Sequence, residues 1–195
     1  MRFISIDLEN NQPSGSIIQL GAVAWDTDLD TAISTFNIFV EPPEEEVNWD
    51  HLLNIGETLE ALLGPTFKSE WEKRKVSREE GLKQFWEWVD TVKCGKKVVQ
   101  WGRGDMEQIL KESKLSKVRY PSHLRVLNLK TTYQFLFQPA LRYTKVFGLG
   151  GAVRSVGLTF EGDPHNALAD SLNTARVYAV LYKKLEKYRS IEQLF

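Results

Sequence analysis

The chain has 195 residues and a mass of 22.4 kDa, which suits a single domain, predicted here over residues 1–195. Hydrophobic residues make up 42% and charged residues 26%, and ten Phe and six Trp supply a core, so a disordered chain, a coiled coil and collagen are excluded. No apolar run approaches the roughly 20 residues of a membrane helix, and the first apolar run is too short for a signal peptide. Because Cys94 is the only cysteine, we expect a reduced, cytoplasmic protein without an internal disulfide.

The formal net charge of −1 hides an uneven distribution of charge along the chain. Residues 1–70 contain two basic and 13 acidic side chains, whereas residues 91–154 contain 13 basic and three acidic ones. Such asymmetry indicates a polyanionic ligand, nucleic acid among them. The alternative is a solvated surface that keeps the protein in solution.

The first 40 residues predict three strands of an antiparallel meander. The strands are Arg2–Leu8, Ile17–Trp25 and Thr31–Val40, each rich in Ile, Val or Phe. A turn at residues 27–30 joins the second strand to the third, and two prolines follow the third. Asp7 therefore lies near the end of the first strand.

The rest of the chain alternates between helical and strand patterns. The predicted elements are a helix that begins with a capping box at Ser77, a strand over Lys96–Trp101, a helix after Gly104, and helices over Leu127–Phe137, Leu149–Val156 and Ala167–Leu185. Residues 41–74 have weak periodicity and are the candidate for a lid or an insertion. Strands followed by alternating helices and strands predict an α/β fold with a mixed sheet flanked by helices.

Two carboxylates stand one residue apart on the first predicted strand, Asp7 and Glu9. In an extended chain, residues i and i+2 point to the same face, so this pair offers an oxygen site of the kind that Mg²⁺ prefers. A polar strand end is the alternative interpretation, since Asp-x-Glu is a common pattern.

Two later segments carry further candidate residues. His165 precedes the last predicted helix and Asp170 lies on its first turn, so both side chains can meet at one point. Asp105 follows a strand that breaks at Gly102 and Gly104, at the start of a helix. Taken singly, His165 suits a hydrogen-bonded loop residue and Asp105 suits an N-cap.

In this order, the three segments resemble the DEDDh (DnaQ-like) exonucleases, whose motif is four acids and a histidine. The matching residues are Asp7, Glu9, Asp105, His165 and Asp170. A narrower likeness, to the branch of histone-mRNA 3′-end exonucleases and sporulation-inhibitor-type proteins, rests on residues 101–105, 127–130 and 157–162. The chain departs from that pattern at Asn10-Asn11 and at Asp163-Pro164.

The resemblance implies an RNase H-like fold, with a three-strand antiparallel meander plus parallel strands, and a 3′–5′ exonuclease on single-stranded nucleic acid. RNA is favoured over DNA, and 5′ nucleoside monophosphates are the expected product. It also implies two Mg²⁺ or Mn²⁺ ions. Asp7 would bridge both ions, Glu9 and Asp170 would bind the ion that activates water, and Asp105 would bind the second ion. His165 would be the general base.

Residues that would bind the substrate follow from their position near this motif. The candidates are Leu8, Asn10, Trp101, Arg103, Lys130 and Arg142. Leu8 and Asn10 would contact the 3′-terminal nucleotide, Trp101 would stack on a base unless it is a core residue, and the cations would follow the backbone. The expected partners are RNA or DNA 3′ ends and no membrane, and several members of the family are dimers, which leaves a homodimer open.

Two other functions remain open from the sequence. A non-catalytic nucleic-acid-binding module would keep the fold without the reaction, although a degenerate copy is expected to lose at least one of the five motif residues. A proofreading-type subunit would act on DNA within a polymerase complex.

Overall fold

The computed structural model describes residues 1–43, 45–122, 124–141 and 148–192, with the backbone alone at 137–141 and 188–192. Its elements are β1 (Arg2–Asn10), β2 (Ile17–Asp26), β3 (Thr31–Glu41), α1 (Leu59–Leu63), α2 (Pro65–Arg74), β4 (Val76–Ser77), α3 (Arg78–Val92), β5 (Lys97–Gln100), α4 (Asp105–Leu115), β6 (Arg125–Asn128), α5 (Leu129–Leu141), α6 (Leu149–Ser155) and α7 (Ala167–Glu192). The six strands form one sheet in the order β4-β3-β2-β1-β5-β6. The predicted fold class is confirmed.

The sheet combines the predicted antiparallel meander with parallel strands. β1 pairs with β2 and β2 with β3 in antiparallel register, whereas β5 lies parallel to β1, β6 to β5 and β4 to β3. Because helices cover both faces of the sheet, all ten residues of β2 are buried. Side chains alternate between the faces: Ile4 and Ile6 pack in the cluster with α3 and α4, and Phe3 packs in the cluster with α5, α6 and α7.

The first turn of α7 lies directly on β2 at Gly21. A Cβ atom at Gly21 would lie 2.1 Å from the carbonyl carbon of Ala167, so only glycine admits this approach. Next to it, the Gln19 side-chain oxygen accepts the Ala167 N–H at 3.0 Å, and its amide donates to Asn37 Oδ1 at 2.9 Å. This contact fixes where the last helix begins relative to the sheet.

Residues 41–74 are part of the packed body. Helices α1 and α2 bury an aromatic and aliphatic cluster against β2 and β3, made of Ile18, Phe39, Val47, Leu59, Leu63, Phe67 and Trp71. The Trp71 Nε1–H donates to the Val40 carbonyl at 2.9 Å. Of the two predictions for this segment, a lid or an insertion, the buried contacts favour a packed insertion. The periodicity of the segment is weak because its helices are short and their apolar spacing is irregular.

One helix boundary also differs from its prediction. Leu127 and Asn128 end strand β6, which pairs with β5, and the helix begins at Leu129. Asn128 Oδ1 accepts the Thr131 N–H at 3.1 Å, so the asparagine stops the strand and caps the helix. Among the described residues, no helix is both long and apolar enough to cross a membrane.

Gly21→Ala should lower the free energy of unfolding by about 1–3 kcal/mol, because the added methyl meets the α7 backbone. Urea unfolding followed by circular dichroism measures the change. Gly150→Ala is the matched control, since its Cβ would meet only the end of the Arg154 side chain at 3.6 Å inside helix α6. Equal stability of Gly21→Ala and wild type would contradict the close packing of α7 against β2 at Gly21.

Candidate active site

The carboxylates of β1 lie just beyond the point where β5 ends. β5 pairs with β1 as far as Gln100 opposite Ile6, and β1 continues through Asp7 and Glu9. Their cross-strand partners on β2 are Gly21 and Gln19, so both acids lie on the face that α7 covers. The edge left open by β5 gives this pair access from the carboxyl end of the sheet.

Asp105 enters the same end of the sheet at the first residue of α4. The turn before it contains Gly102 and Gly104 at φ of 110° and 111°, values that disfavour other residues. The Gln100 side chain holds this turn, accepting the Met106 N–H at 3.1 Å and donating to the Gly102 carbonyl at 3.2 Å. The N-cap interpretation of Asp105 is wrong, because Gly104 occupies that position.

His165 and Asp170 flank the start of α7. Asn166 Oδ1 accepts the N–H groups of Leu168 and Ala169 and so begins the helix. His165, at a φ of 61°, is exposed just before that cap, and it lies close enough to Asp170 that its charge opposes the rise in the pKa of that carboxyl group. The close packing of α7 against Gly21 therefore brings both residues next to the acids of β1.

The ligand atoms of Glu9, His165 and Asp170 lie within 4.8 Å of one another, close enough to share a cation. The Asp170 Oδ1 atom is buried without a hydrogen-bond partner among the described residues, and an orphaned carboxylate oxygen is what an oxygen-seeking cation fits. Asp7 and Asp105 lie close to this group, because the charges of Glu9, Asp105 and Asp170 all raise the pKa of Asp7 and the charge of Asp105 also raises that of Glu9. The structure brings all five predicted residues to one end of the sheet.

Burial raises the pKa of all four carboxyl groups, and at Asp7 and Glu9 the charges of the neighbouring acids raise it further. Burial, then the charges of Asp170 and Asp105, raises the pKa of Glu9 to about 8. Burial first and Glu107 second raise the pKa of Asp105 to about 7, and burial raises the pKa of Asp170 to about 6 against the opposing charge of His165. Burial and then Glu9, Asp105 and Asp170 raise the pKa of Asp7 well above its ordinary value. A bound cation would remove this repulsion.

Two of the predicted substrate-binding residues adjoin the carboxylates on β1. The Leu8 side chain is 7% exposed and packs in the cluster with α3 and α4, on the face away from Asp7 and Glu9. The prediction that the Leu8 side chain contacts a nucleotide is therefore wrong, because alternation along β1 turns it into the core. The Asn10 side-chain oxygen is buried without a partner among the described residues.

The remaining substrate candidates lie at different depths. Trp101 is half-buried and its ring centroid is 5.9 Å from that of Tyr133, within the cluster beneath α7. Arg103 is exposed in the turn before Asp105, and Lys130 is half-buried in the first turn of α5. Arg142 lies outside the described residues.

A clamp that the sequence analysis missed holds the loop before His165. Asn173 on α7 is fully buried, accepts the Glu161 N–H at 3.1 Å and donates to the Glu161 carbonyl at 2.8 Å. Arg176 donates to the Thr159 carbonyl at 2.8 Å and pairs with the Glu161 carboxylate at 2.9 Å. The spacing of Asn173 and Arg176, one helical turn apart and close after Asp170, is the signal that could have found them.

Comparison with known proteins agrees with this geometry. No family model matches the chain. It is 28% identical over 102 residues to 3′-5′ exoribonuclease 1 of Rattus norvegicus, covering 49% of this chain and 29% of that protein. It is 26% identical over 183 residues to ERI1 exoribonuclease 2 of Homo sapiens, covering 83% of this chain and 24% of that one. The chain thus spans less than a third of the curated relatives it matches.

A solved structure covers almost the whole fold. The nuclease domain of 3′hExo, a DEDDh family member bound to rAMP, superposes with a TM-score of 0.71 and 21% identity over 94% of this chain and 92% of that one. The chain has the fold of the DEDDh exonucleases. The resemblance that its motifs indicate is confirmed.

The raised pKa values predict how the stability of the metal-free protein changes with pH. Folded Glu9, Asp105 and Asp170 hold protons up to pKa values of about 8, 7 and 6, whereas the unfolded chain releases them near pH ~4. The unfolded state binds fewer protons in this window, so the free energy of unfolding should fall as the pH rises through it. Urea unfolding in chelator at a series of pH values measures the decline.

Glu9→Gln should flatten the upper part of that decline, and saturating Mn²⁺ should counteract it. The exposed Glu57→Gln is the matched control and should follow wild type. A stability that rises with pH in the absence of metal would contradict the buried cluster.

Asn173→Ala should lower the free energy of unfolding by about 1–3 kcal/mol, because it removes the hydrogen bonds by which the fully buried Asn173 side chain holds the Glu161 backbone. By releasing the loop before His165 it should also lower kcat while leaving Mn²⁺ affinity close to wild type. Calorimetry and steady-state kinetics separate the two effects. Exposed Asn54→Ala is the control, and an unchanged kcat in Asn173→Ala would show that the clamp does not position His165.

Proposed function

We propose that the chain is a divalent-metal-dependent 3′–5′ exonuclease that hydrolyses single-stranded nucleic acid and releases 5′ nucleoside monophosphates. The observation that carries this proposal is the meeting of Asp7, Glu9, Asp105, His165 and Asp170 at one end of the sheet. The exoribonuclease relatives favour RNA over DNA as the substrate. The rAMP bound in the 3′hExo structure is a nucleoside monophosphate, the same class of molecule as the proposed product.

The carboxylate cluster suits two divalent ions, Mg²⁺ or Mn²⁺. In this proposal, Asp7 would contribute to holding both ions, Glu9 and Asp170 would hold one of them, and Asp105 would hold the other directly or through water. When bound, the ions would stabilise the negative charge that develops on the entering and leaving oxygens of the phosphodiester. The orphaned Asp170 oxygen and the repulsion that neighbouring carboxylates exert on Asp7 and Glu9 both support such ligation, because a cation would satisfy the oxygen and relieve the repulsion.

His165 takes the proton from the attacking water in this proposal. Its exposure leaves the imidazole accessible to solvent, and its ring nitrogen lies within 4.8 Å of carboxylate oxygens of Glu9 and Asp170. An imidazole titrates near neutral pH and so suits a general base there. The positive φ of His165, next to the Asn166 cap, orients the side chain out of the helix.

The substrate end would enter where β5 stops. Asn10 lies beside the acids and offers an unpartnered buried oxygen to the terminal nucleotide, and the Leu8 backbone runs between Asp7 and Glu9. Arg103, exposed beside Asp105, would contact a phosphate, and the half-buried Trp101 would contact a base with the part of its ring that is not packed in the cluster. The single domain over residues 1–195, the cytoplasmic location, a homodimer and contacts from Lys130 and Arg142 stay predictions.

End-labelled oligonucleotides test the reaction. The 3′-labelled and 5′-labelled forms of single-stranded RNA, single-stranded DNA and duplexes are incubated with Mg²⁺ or with chelator. Release of mononucleotides from the 3′ end in Mg²⁺ alone supports the proposal. Stable binding without hydrolysis in every condition would instead support a non-catalytic binding module.

Asp7→Ala should abolish hydrolysis in Mg²⁺ with little loss of fold, because removing one acid relieves repulsion in the cluster. Single-turnover digestion and urea unfolding measure activity and stability. Asp50→Ala, on an exposed residue, is the control. Near wild-type turnover in Asp7→Ala would overturn the metal assignment.

His165→Ala should lower kcat about 10²–10⁴-fold, the usual effect of removing a general base. Mn²⁺ affinity, measured by titration calorimetry, should change little, because the histidine acts on water in this proposal. His51→Ala is the control histidine. A large loss of Mn²⁺ affinity would make His165 a ligand, as its place beside Glu9 and Asp170 also permits.

A further inference from the structure

Seven exposed cations lie together at the end of the sheet opposite the carboxylates. We name this set the basic edge: Lys93, Lys96, Lys97, Lys114, Lys117, Arg119 and Arg125. In the part of the chain that the structure describes, none of them has an acidic partner within 4.0 Å. Their charge is therefore directed to solvent or to a ligand.

The fold assembles this surface from two separate turns. One turn leads from α3 into β5, the other leads from α4 into β6, and the Arg125 N–H donates to the Lys96 carbonyl at 2.7 Å to join them. Lys97 and Arg125 are then neighbours in the parallel register of β5 and β6. Val98 pairs with Ile4, so Lys97 lies level with the residue four positions before Asp7, about 13 Å away along the strand.

A groove of about 1020 Å³ runs beside the basic edge, between α3 and residues 117–122. Lys96, Lys117 and Arg119 line one side, and the Tyr120 side chain, 37% exposed, lies among them. The α3 side carries Lys83 together with acids, which are Glu79, Glu87 and Asp90. The Tyr120 ring, 6.1 Å from the ring of Trp86, is anchored from below.

We propose that the basic edge binds the sugar-phosphate backbone of a nucleic acid strand, upstream of the 3′ end held at the carboxylates. This inference rests on the proposed function and names the second contact surface for the same substrate. The basic side of the groove matches a line of phosphates, and an exposed aromatic ring among cations suits an unpaired base.

The shape of the surface favours a strand over a membrane or an acidic protein. A flat anionic bilayer would bring charge against Glu79, Glu87 and Asp90 as well as against the cations. A strand can follow the cationic side alone and leave the acidic side to solvent. Most of the surplus acids are in residues 1–70, so the two signs of charge are separated along the chain.

The proposal predicts that binding depends on strand length. A short oligonucleotide that fills the carboxylate end stops before the basic edge, whereas a long strand reaches both. Neutralising part of the basic edge should therefore weaken binding of long strands and leave short ones unaffected. For each phosphate that a variant no longer neutralises, the salt slope of the binding constant should become shallower by about 0.7.

The test compares Lys117→Glu/Arg119→Glu with Lys73→Glu/Lys184→Glu, two variants with the same change of net charge. Lys73 and Lys184 are exposed on α2 and α7, outside the basic edge. Both pairs are placed in an Asp7→Asn background, and binding of a ribodinucleotide and of single-stranded RNA of about 20 nucleotides is measured in Ca²⁺ across salt concentrations. Urea unfolding checks both proteins, and Lys117→Gln/Arg119→Gln serves as a milder second variant.

For the long RNA, we expect about tenfold weaker binding and a slope reduced by about 1.4 in the basic-edge variant alone. An equal loss of affinity in the control variant, an equal loss for the short RNA, or no loss overturns the proposal. So does tighter binding of anionic phospholipid vesicles than of RNA through the same residues. Because the assay measures binding, absence of hydrolysis in wild type would refute the exonuclease without affecting this result.

Discussion

The candidate site depends on the absence of a side chain at Gly21. That position lets the first turn of α7 lie against the backbone of β2, and Gln19 then receives the first N–H of the helix. Gly21 and Gln19 are the cross-strand partners of Asp7 and Glu9. The register that aligns two acids on β1 thus also aligns, on β2, the two residues that bring Asp170 and His165 to those acids. A slip of one residue would turn both pairs to opposite faces.

Gathering four carboxyl groups at such a place lowers stability, and the raised pKa values reflect that effect. The rest of the fold must offset it. Three apolar clusters do so, on the two faces of the sheet and beneath α1 and α2. Hydrogen bonds from two buried amide side chains position the loops of the site: Gln100 orders the turn before Asp105, and Asn173 holds the loop before His165. The rigid frame therefore preserves an arrangement that the acids by themselves would not adopt.

The sequence predicted what depends on local chemistry. Alternation placed Asp7 and Glu9 on one face, and five-residue spacing placed His165 and Asp170 at one helix start. It did not predict residues whose roles arise from distant contacts: Gln19 bonds Ala167, 148 residues away, and Asn173 bonds a loop with no motif of its own. The same reason explains residues 41–74, where Trp71 is buried by contact with β3 rather than by a helical period. The boundary at Leu127 was missed for a different reason, because a short strand followed at once by a capped helix has a single apolar pattern.

The direction of the strands places the acidic cluster and the basic edge at opposite ends of the sheet. β1 and β5 run parallel, so their carboxyl ends meet at the acids, while the amino ends of β5 and β6 meet at the basic edge. An anionic substrate meets repulsion at the acids unless cations are bound there, and attraction at the other end in any case. Under the two proposals, the basic edge would retain a long strand and divalent ions at the acids would admit its 3′ end, so binding and hydrolysis would be controlled separately. A chain with a net charge of −1 can therefore bind a polyanion, because the position of its charges matters more than their sum.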